Sequence, residues 1–393
     1  MSSLNVLFLQ EGVLDSGAVM GHASYQHSIR AGLRGLPDVN ARFAGLPSMG
    51  RSSRRLATGF PLLRGLDLDL QTVRWHAIQA HAARRVLREK LAEAPADAAV
   101  VKSHSIAMGL LREMDRLPIL PVVDVTVWDW RAMGIWRTVR AYSRAMVRPS
   151  EAAERMLFER APLVLALTEW AREGVLRSCP TANVVQHHPG IDIEHYRPAE
   201  RQADDDVKRV LFVGGRFRSK GGFDLIEALS PRLGRDVVLD VVTAEEVPDA
   251  PGVRVHRLSA GDERLLGLYQ QADLFCLPTY GDSNPWVLLE AMACGTPVVS
   301  TKLGAIDELL GHGEAGVVHR AGDLDALRAA VDELLDDPAA RRELGIRARA
   351  RCEREFDARR QVPLLVELLR GVVAGDARRC AAAAVAAGPP AAA

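Results

Sequence analysis

Short apolar runs alternate along the chain with longer stretches of helical period, the pattern of an α/β protein built on parallel sheets. In the first half the runs fall at residues 5–9, 39–46, 98–101, 120–127, 163–167 and 183–186, with helical stretches at 71–91, 105–114 and 170–177. The same order restarts with runs at 209–213, 237–242, 253–257, 274–277, 297–300 and 316–319. Between the halves, HYRPAERQADDDVKR carries a proline and three successive aspartates, a linker composition. The pattern predicts a first domain over 1–197, a linker over 198–207 and a second domain over 208–356. A C-terminal helix is expected at 357–373, and the low-complexity, alanine-rich segment 374–393 reads as disordered. Two doubly wound α/β domains of this kind are expected to face each other across a cleft. Open sheets of that type take ligands at the carboxyl ends of their strands.

Composition narrows the functional classes. Fifty Lys and Arg balance fifty Asp and Glu, which argues against a dedicated nucleic-acid binder. Five scattered cysteines, none at CxxC spacing, suggest neither a disulfide framework nor a zinc cluster. No run approaches the roughly 18 apolar residues of a membrane helix. The opening MSSLNVLFLQEG lacks a basic n-region and reads as a buried strand, so a cytoplasmic location is expected.

The most informative stretch is ADLFCLPTYGDSNPWVLLEAMACGTPVVST, residues 272–301. Asn284 suits a helix N-cap, Pro285 the first helical position and Gly295 the stop, so a helix over 285–294 is predicted. Trp286, Val287, Leu288, Leu289, Ala291, Met292 and Ala293 make it apolar on every face. Glu290 sits inside that envelope. A buried carboxylate without a partner costs several kcal/mol, on the order of a desolvated ion, so something polar must meet it, and a hydroxyl-rich ligand or an internal Arg or Lys would serve. The helix N-terminus offers amides to an anion, and Asp282 stands in the loop before it. Phosphate donors, a hydroxyl acceptor and a second carboxylate at the rim are what a nucleotide sugar needs.

A second stretch, RVLFVGGRFRSKGGFDLIEAL, reads as strand, glycine-rich turn and helix. Gly214 and Gly215 permit a tight turn, and Gly221 and Gly222 are expected to open the helix with exposed amides. Arg216, Arg218 and Lys220 put three cations in the loop. The order GxxxxGK[ST] is absent, so this is no Walker loop.

Together these stretches resemble the donor site of the retaining GT-B glycosyltransferases, specifically family 4 of the group 1 type. Glu290-Ala-Met-Ala-Cys-Gly-Thr-Pro-Val-Val299 matches the family's EAMACGTPVV-like run, and Lys220-Gly221-Gly222 its KGG. The resemblance implies two Rossmann-like domains. It also implies transfer of a sugar from a nucleotide diphosphate donor to a hydroxyl acceptor with retained anomeric configuration, with no metal or other cofactor. Carried over, Glu290 holds the ribose, and Asp282, where the family has Glu, contacts the transferred sugar. Lys220 stabilises the diphosphate. The family's arginine falls five residues before the lysine, at Gly215 here, so the neighbouring Arg216 is the candidate. Gly214, Gly215, Asn284, Pro285 and Trp286 line the donor, and the base rests near Val255, His256, Arg257 and Leu258. Gly17, Gly21 and His22 belong to the loop over the diphosphate and acceptor, and His104 resembles the family's histidine near the transferred sugar.

Other readings stay open on the same residues. A sugar-nucleotide epimerase would need acid–base side chains deep in the cleft. A decayed binding protein would fit the Asp at 282 and the Gly at 215. Asp67-Leu68-Asp69 is formally a DxD, but its alternating apolar neighbours speak for local structure and not for a metal. Asp124 closes another strand and Asp129 follows it; either is a candidate to orient an acceptor hydroxyl. Residues 1–90 hold 12 Lys or Arg against 6 Asp or Glu. Arg51, Arg54, Arg55 and Arg64 lie there beside Leu56, Phe60, Pro61, Leu62 and Leu63, a composition suited to a solvated basic loop, to an anionic acceptor or to peripheral contact with an anionic membrane. The acceptor class stays broad: a glycan, a lipid-linked group or a small molecule.

Overall fold

The apolar runs become strands, and inner ones such as those over 98–102, 119–123 and 274–277 are buried along their whole length, as parallel sheets require. The first sheet contains β1 (Leu4–Gln10), β2 (Val39–Gly45), β3 (Ala98–Lys102), β4 (Ile119–Val123), β5 (Val164–Ala166) and β6 (Val184–Gln186). The second contains β7 (Lys208–Val213), β8 (Val237–Val242), β9 (Val253–His256), β10 (Leu274–Leu277), β11 (Val298–Thr301) and β12 (Val317–His319). These elements come from a computed structural model that describes residues 3–12, 20–58, 60, 62–63, 70–133, 141–188, 190–200, 206–259 and 261–377.

The strand orders are β2-β1-β3-β4-β5-β6 and β12-β11-β10-β7-β8-β9, and every pairing is parallel. Each order reverses direction at one place, between β1 and β3 in the first sheet and between β7 and β10 in the second. Strand-end loops diverge at such a switch point and leave a crevice. Each sheet therefore has one switch point at which a ligand is expected.

The chain divides into two compact units: Met1–Ala18, Leu33–His188 and Val362–Ala393 form one, and Val19–Gly32 with Pro189–Gln361 form the other. Most of the helix Met20–Leu33 thus belongs with the second sheet, a grouping the 1–197 and 208–356 division does not contain. The first core is built on Leu7, Leu9, Val101 and Phe158, and the second on Phe212, Phe275, Leu289 and Tyr269.

Some elements end earlier than their apolar runs. The run 120–127 leaves the sheet at Val123 because the Thr126 hydroxyl accepts the Asp129 amide at 3.1 Å and caps a helix, Val127–Ala132. The stretch 105–114 holds one turn of helix, His104–Ala107, and then 3₁₀ turns at Met108–Leu110 and Glu113–Asp115.

Candidate functional site

The second unit's switch point lies between the turn after β7 and the loop after β10. In that turn Lys220 N–H donates to Arg216 O (3.1 Å), Gly221 N–H to Arg218 O (3.2 Å) and Gly222 N–H to Phe217 O (2.9 Å). Gly214 N–H is taken by Val242 O at 2.9 Å. The amides of Gly221 and Gly222 are therefore spent inside the turn and are not offered to a phosphate, which corrects the sequence expectation. What these glycines supply is room. Gly221 has φ +78°, and a Cβ on it would lie 2.0 Å from Pro278 O. Only a glycine lets the turn rest on the first residue of the next loop.

That contact brings the two sequence stretches together. Lys220 Nζ is ion-paired with Asp282 and also donates to Gly281 O at 3.2 Å. Arg216 is exposed and carries no ion pair among the described residues, and Gly215 faces open space. Arg218 instead lies over the Phe223 ring, 4.5 Å from its centroid.

The helix in the next segment runs Trp286–Ala293, with Pro285 at the N-cap (φ −75°, ψ 111°) and no side-chain cap. Asn284 is not the cap and Pro285 is not the first helical residue, because Pro285 takes the extended backbone of the capping position. Released from capping, the Asn284 amide is 6% exposed and neither its Oδ1 nor its Nδ2 has a partner. Its position is nonetheless fixed by the backbone around it. Tyr280 N–H donates to Ser219 O (3.0 Å) and Ala305 N–H to Ser283 O (2.9 Å). Gly304, at φ +57°, leaves no space for a Cβ against Ser283.

Glu290 is 3% exposed, as its apolar neighbours require. Its hydrogen-bond partners are three hydroxyls: Ser24 Oγ donates to Oε1 (2.6 Å), Tyr269 OH donates to Oε2 (2.7 Å), and the Tyr196 hydroxyl also bonds the carboxyl. Burial pushes the carboxyl above its ordinary range, opposed by those three hydroxyls. Ser24 belongs to the helix Met20–Leu33, whose Tyr25 meets Trp286 edge to face at 5.9 Å. No local pattern links residues 266 positions apart, which is why Ser24 escapes a sequence reading. Tyr269 and Tyr196 are missed for the same reason.

The segment expected to hold a base is the edge strand β9 and its exit. His256 Nε2 lies 2.7 Å from Asp240 Oδ1, and Arg257 donates to Thr243 O (2.5 Å) and Glu245 O (2.6 Å). Val255 is exposed, and Leu258 packs against the core.

The first unit's switch point gathers polar groups of its own. Lys102, 3% exposed at the end of β3, donates to Asp124 Oδ2 at 3.2 Å. Glu11, just beyond β1, accepts from Gln79 Nε2 at 2.8 Å, and burial pushes its carboxyl up to about 7. Neither Glu11 nor Gln79 is among the sequence candidates, although a carboxylate at a strand's carboxyl end is a signal that could have found Glu11. Ser103 has φ +88°, a sparsely populated conformation for a residue with a side chain. His104 follows, buried, with Nε2 3.1 Å from Glu154 Oε1 and Nδ1 without a partner. Burial lowers His104 to about 4 and raises Glu154 to about 8, so both are neutral near pH 7. Asp129 is structural: Thr126 Oγ1 and Arg177 Nη2 bond it at 2.7 and 2.8 Å.

Gly17 lies outside the described residues, as do Asp67, Asp69 and the side chain of His22. Gly21 falls inside the helix Met20–Leu33 and not in a loop before it. Among the described residues no group of three or more His, Cys, Asp or Glu is placed to hold a metal ion, and no helix is long and apolar enough to cross a membrane.

Comparison with known proteins bears on the second unit first. Residues 207–337 match the family model "Glycosyl transferases group 1". The chain is 29% identical over 386 residues to alpha-maltose-1-phosphate synthase from Mycolicibacterium smegmatis, covering 88% of this chain and 93% of that protein. Sucrose-phosphate synthase from Thermosynechococcus elongatus superposes with a TM-score of 0.68 at 17% identity, over 94% of this chain and 99% of that one. HepE from Anabaena, solved with UDP, does so with a TM-score of 0.62 at 15% identity, over 94% and 100%. The two-domain α/β architecture is the GT-B fold, and the relatives support a group 1 glycosyltransferase.

Proposed function

We propose that the chain transfers a sugar from a nucleotide diphosphate donor to a hydroxyl acceptor, with retention of anomeric configuration and without a metal. The observation that carries this reading is the meeting of Lys220 with Asp282 at the switch point between β7 and β10. It unites a cation with a carboxylate where an open sheet takes its ligand.

Roles follow from the surroundings. Lys220 and the unpaired Arg216 face the diphosphate, supplying the positive charge that the leaving group requires. Asp282 takes a hydroxyl of the transferred sugar. The buried Asn284 amide, with a donor and an acceptor both unused, takes further donor groups. Glu290 holds the ribose once a ribose hydroxyl replaces that of Ser24. The base lies along Val255–Leu258. In the transfer the bond from the sugar's anomeric carbon to the phosphate oxygen breaks, and the diphosphate leaves with the electron pair. The acceptor oxygen bonds to the same face of that carbon, and its proton passes to the departing phosphate oxygen.

Incubation with UDP-, GDP- and ADP-sugars tests the reading. Slow nucleotide release that accelerates with an added hydroxyl acceptor, persists in a metal chelator and yields a product of unchanged anomeric configuration is the expected outcome. An interconverted donor, or binding without turnover across the panel, overturns it.

A further inference from the structure

The helix Arg51–Ala57 leaves β2 at the carboxyl edge of the first sheet, the edge that also carries Glu11 and Lys102. From Arg42 to Leu66 the chain holds five arginines and no aspartate or glutamate. Arg51, Arg54 and Arg55 are exposed, and none has a carboxylate partner among the described residues. Arg232, by contrast, meets three carboxylates, those of Asp236, Asp332 and Asp336. Beside these free cations stand three outward apolar side chains: Leu56 (52% exposed), Phe60 (43%) and Leu62 (77%).

Their display is built, not accidental. Arg74, from the helix Gln71–Glu93, donates through Nε to Leu56 O at 2.8 Å and through Nη2 to Thr58 O at 3.4 Å. Its guanidinium also lies over the Phe60 ring, 4.7 Å from the centroid. One side chain thus ties the backbone on one side of the arch and the ring on the other.

We propose that this arch docks the protein on an anionic lipid bilayer. Leu56, Phe60 and Leu62 enter the boundary between headgroups and acyl chains, and Arg51, Arg54 and Arg55 meet the lipid phosphates. A nucleic acid would match the arginines but leave the leucines in water. A protein partner would cover the leucines, but nothing beside the arch calls for its carboxylates in particular. Docking turns the carboxyl edge of the first sheet toward the bilayer, which suits a lipid-linked substrate. The inference stands whether or not the transfer reaction does.

Cosedimentation of the full chain with vesicles of phosphatidylcholine, and of phosphatidylcholine mixed with phosphatidylglycerol, tests it. Three proteins are compared: the natural chain, Arg51→Glu/Arg54→Glu/Arg55→Glu, and Leu62→Ser. The natural chain is expected to bind only the mixed vesicles, and less as salt shortens the screening length. At about fivefold per arginine, the charge reversal lowers partition at least about a hundredfold, and Leu62→Ser lowers it about tenfold. Thermal midpoint and affinity for nucleoside diphosphates stay as in the natural chain, which excludes misfolding. Equal binding to both vesicle types, or variants that partition like the natural chain, overturns the proposal. So does a concentration-dependent dimer abolished by Leu62→Ser, since a second copy would then occupy the arch.

Discussion

Lys220 and Asp282 hold each other in an ion pair, so on the proposed reading a diphosphate competes with Asp282 for the lysine. The two residues should separate cleanly in kinetics. Lys220→Ala removes charge that matters most as the diphosphate departs, and kcat should fall by about 10² to 10³, the loss typical of one electrostatic stabiliser. Asp282→Asn releases Lys220, so the Kd of the nucleoside diphosphate should fall while KM for the nucleotide sugar rises. Isothermal titration and initial rates measure both, and parallel shifts for diphosphate and nucleotide sugar would remove Asp282 from the sugar. A second prediction concerns Glu154. Burial raises its carboxyl to about 8 against an ordinary 4.5, so the folded chain keeps a proton that the unfolded chain loses. The stability owed to neutral Glu154 is complete below about pH 4.5 and is lost as pH rises toward 8, by at most about 1.4 kcal/mol per pH unit. Glu154→Gln keeps an acceptor for the Val127 amide, which now donates at 2.8 Å, but cannot titrate. Its stability relative to the natural chain should improve between pH 5 and pH 8 in denaturant melts. A constant difference would mean that Glu154 is ionised in the fold.

On the proposed reading, the helix Met20–Leu33 stands in for the donor, since its Ser24 hydroxyl fills a lone pair of Glu290 that a ribose contact would need. Ser24→Ala should therefore act in two directions. It should lower the thermal stability of the ligand-free protein by about 1 kcal/mol, the worth of one buried hydrogen bond. It should also tighten nucleoside diphosphate binding, because the ligand no longer displaces a protein hydroxyl. Weaker binding would place the ribose elsewhere. At this scale the sequence reads strands well, because a fully buried strand is an uninterrupted apolar run. It reads caps less well. Asn284 and Pro285 have the right chemistry for positions one residue further along, and the closed loop around Ser283 decides which residue turns into the helix.

Across the whole molecule, the residues legible from sequence are those whose partners lie in a recognisable stretch. Lys220 and Asp282 come from two motifs and do meet, whereas the hydroxyls around Glu290 come from a helix start, a linker and a distant helix, with no motif among them. The same non-locality sets how the chain divides into compact units. A cut at the linker would give a second unit without Val19–Gly32, which the structure groups with Pro189–Gln361. Such a fragment, residues 189–361, loses Ser24 from Glu290 and Tyr25 from Trp286. A carboxylate stripped of one hydroxyl and an indole stripped of its aromatic neighbour are both destabilising. The fragment should therefore melt below the full chain, and its tryptophan emission should shift to the red, because Trp286 is its one tryptophan. Supplying residues 19–33 as a peptide should restore part of both signals. A fragment that melts with the full chain and keeps its emission blue would show that the second sheet closes over Glu290 without that helix, and the exchange of Ser24 for a ribose hydroxyl would lose its basis.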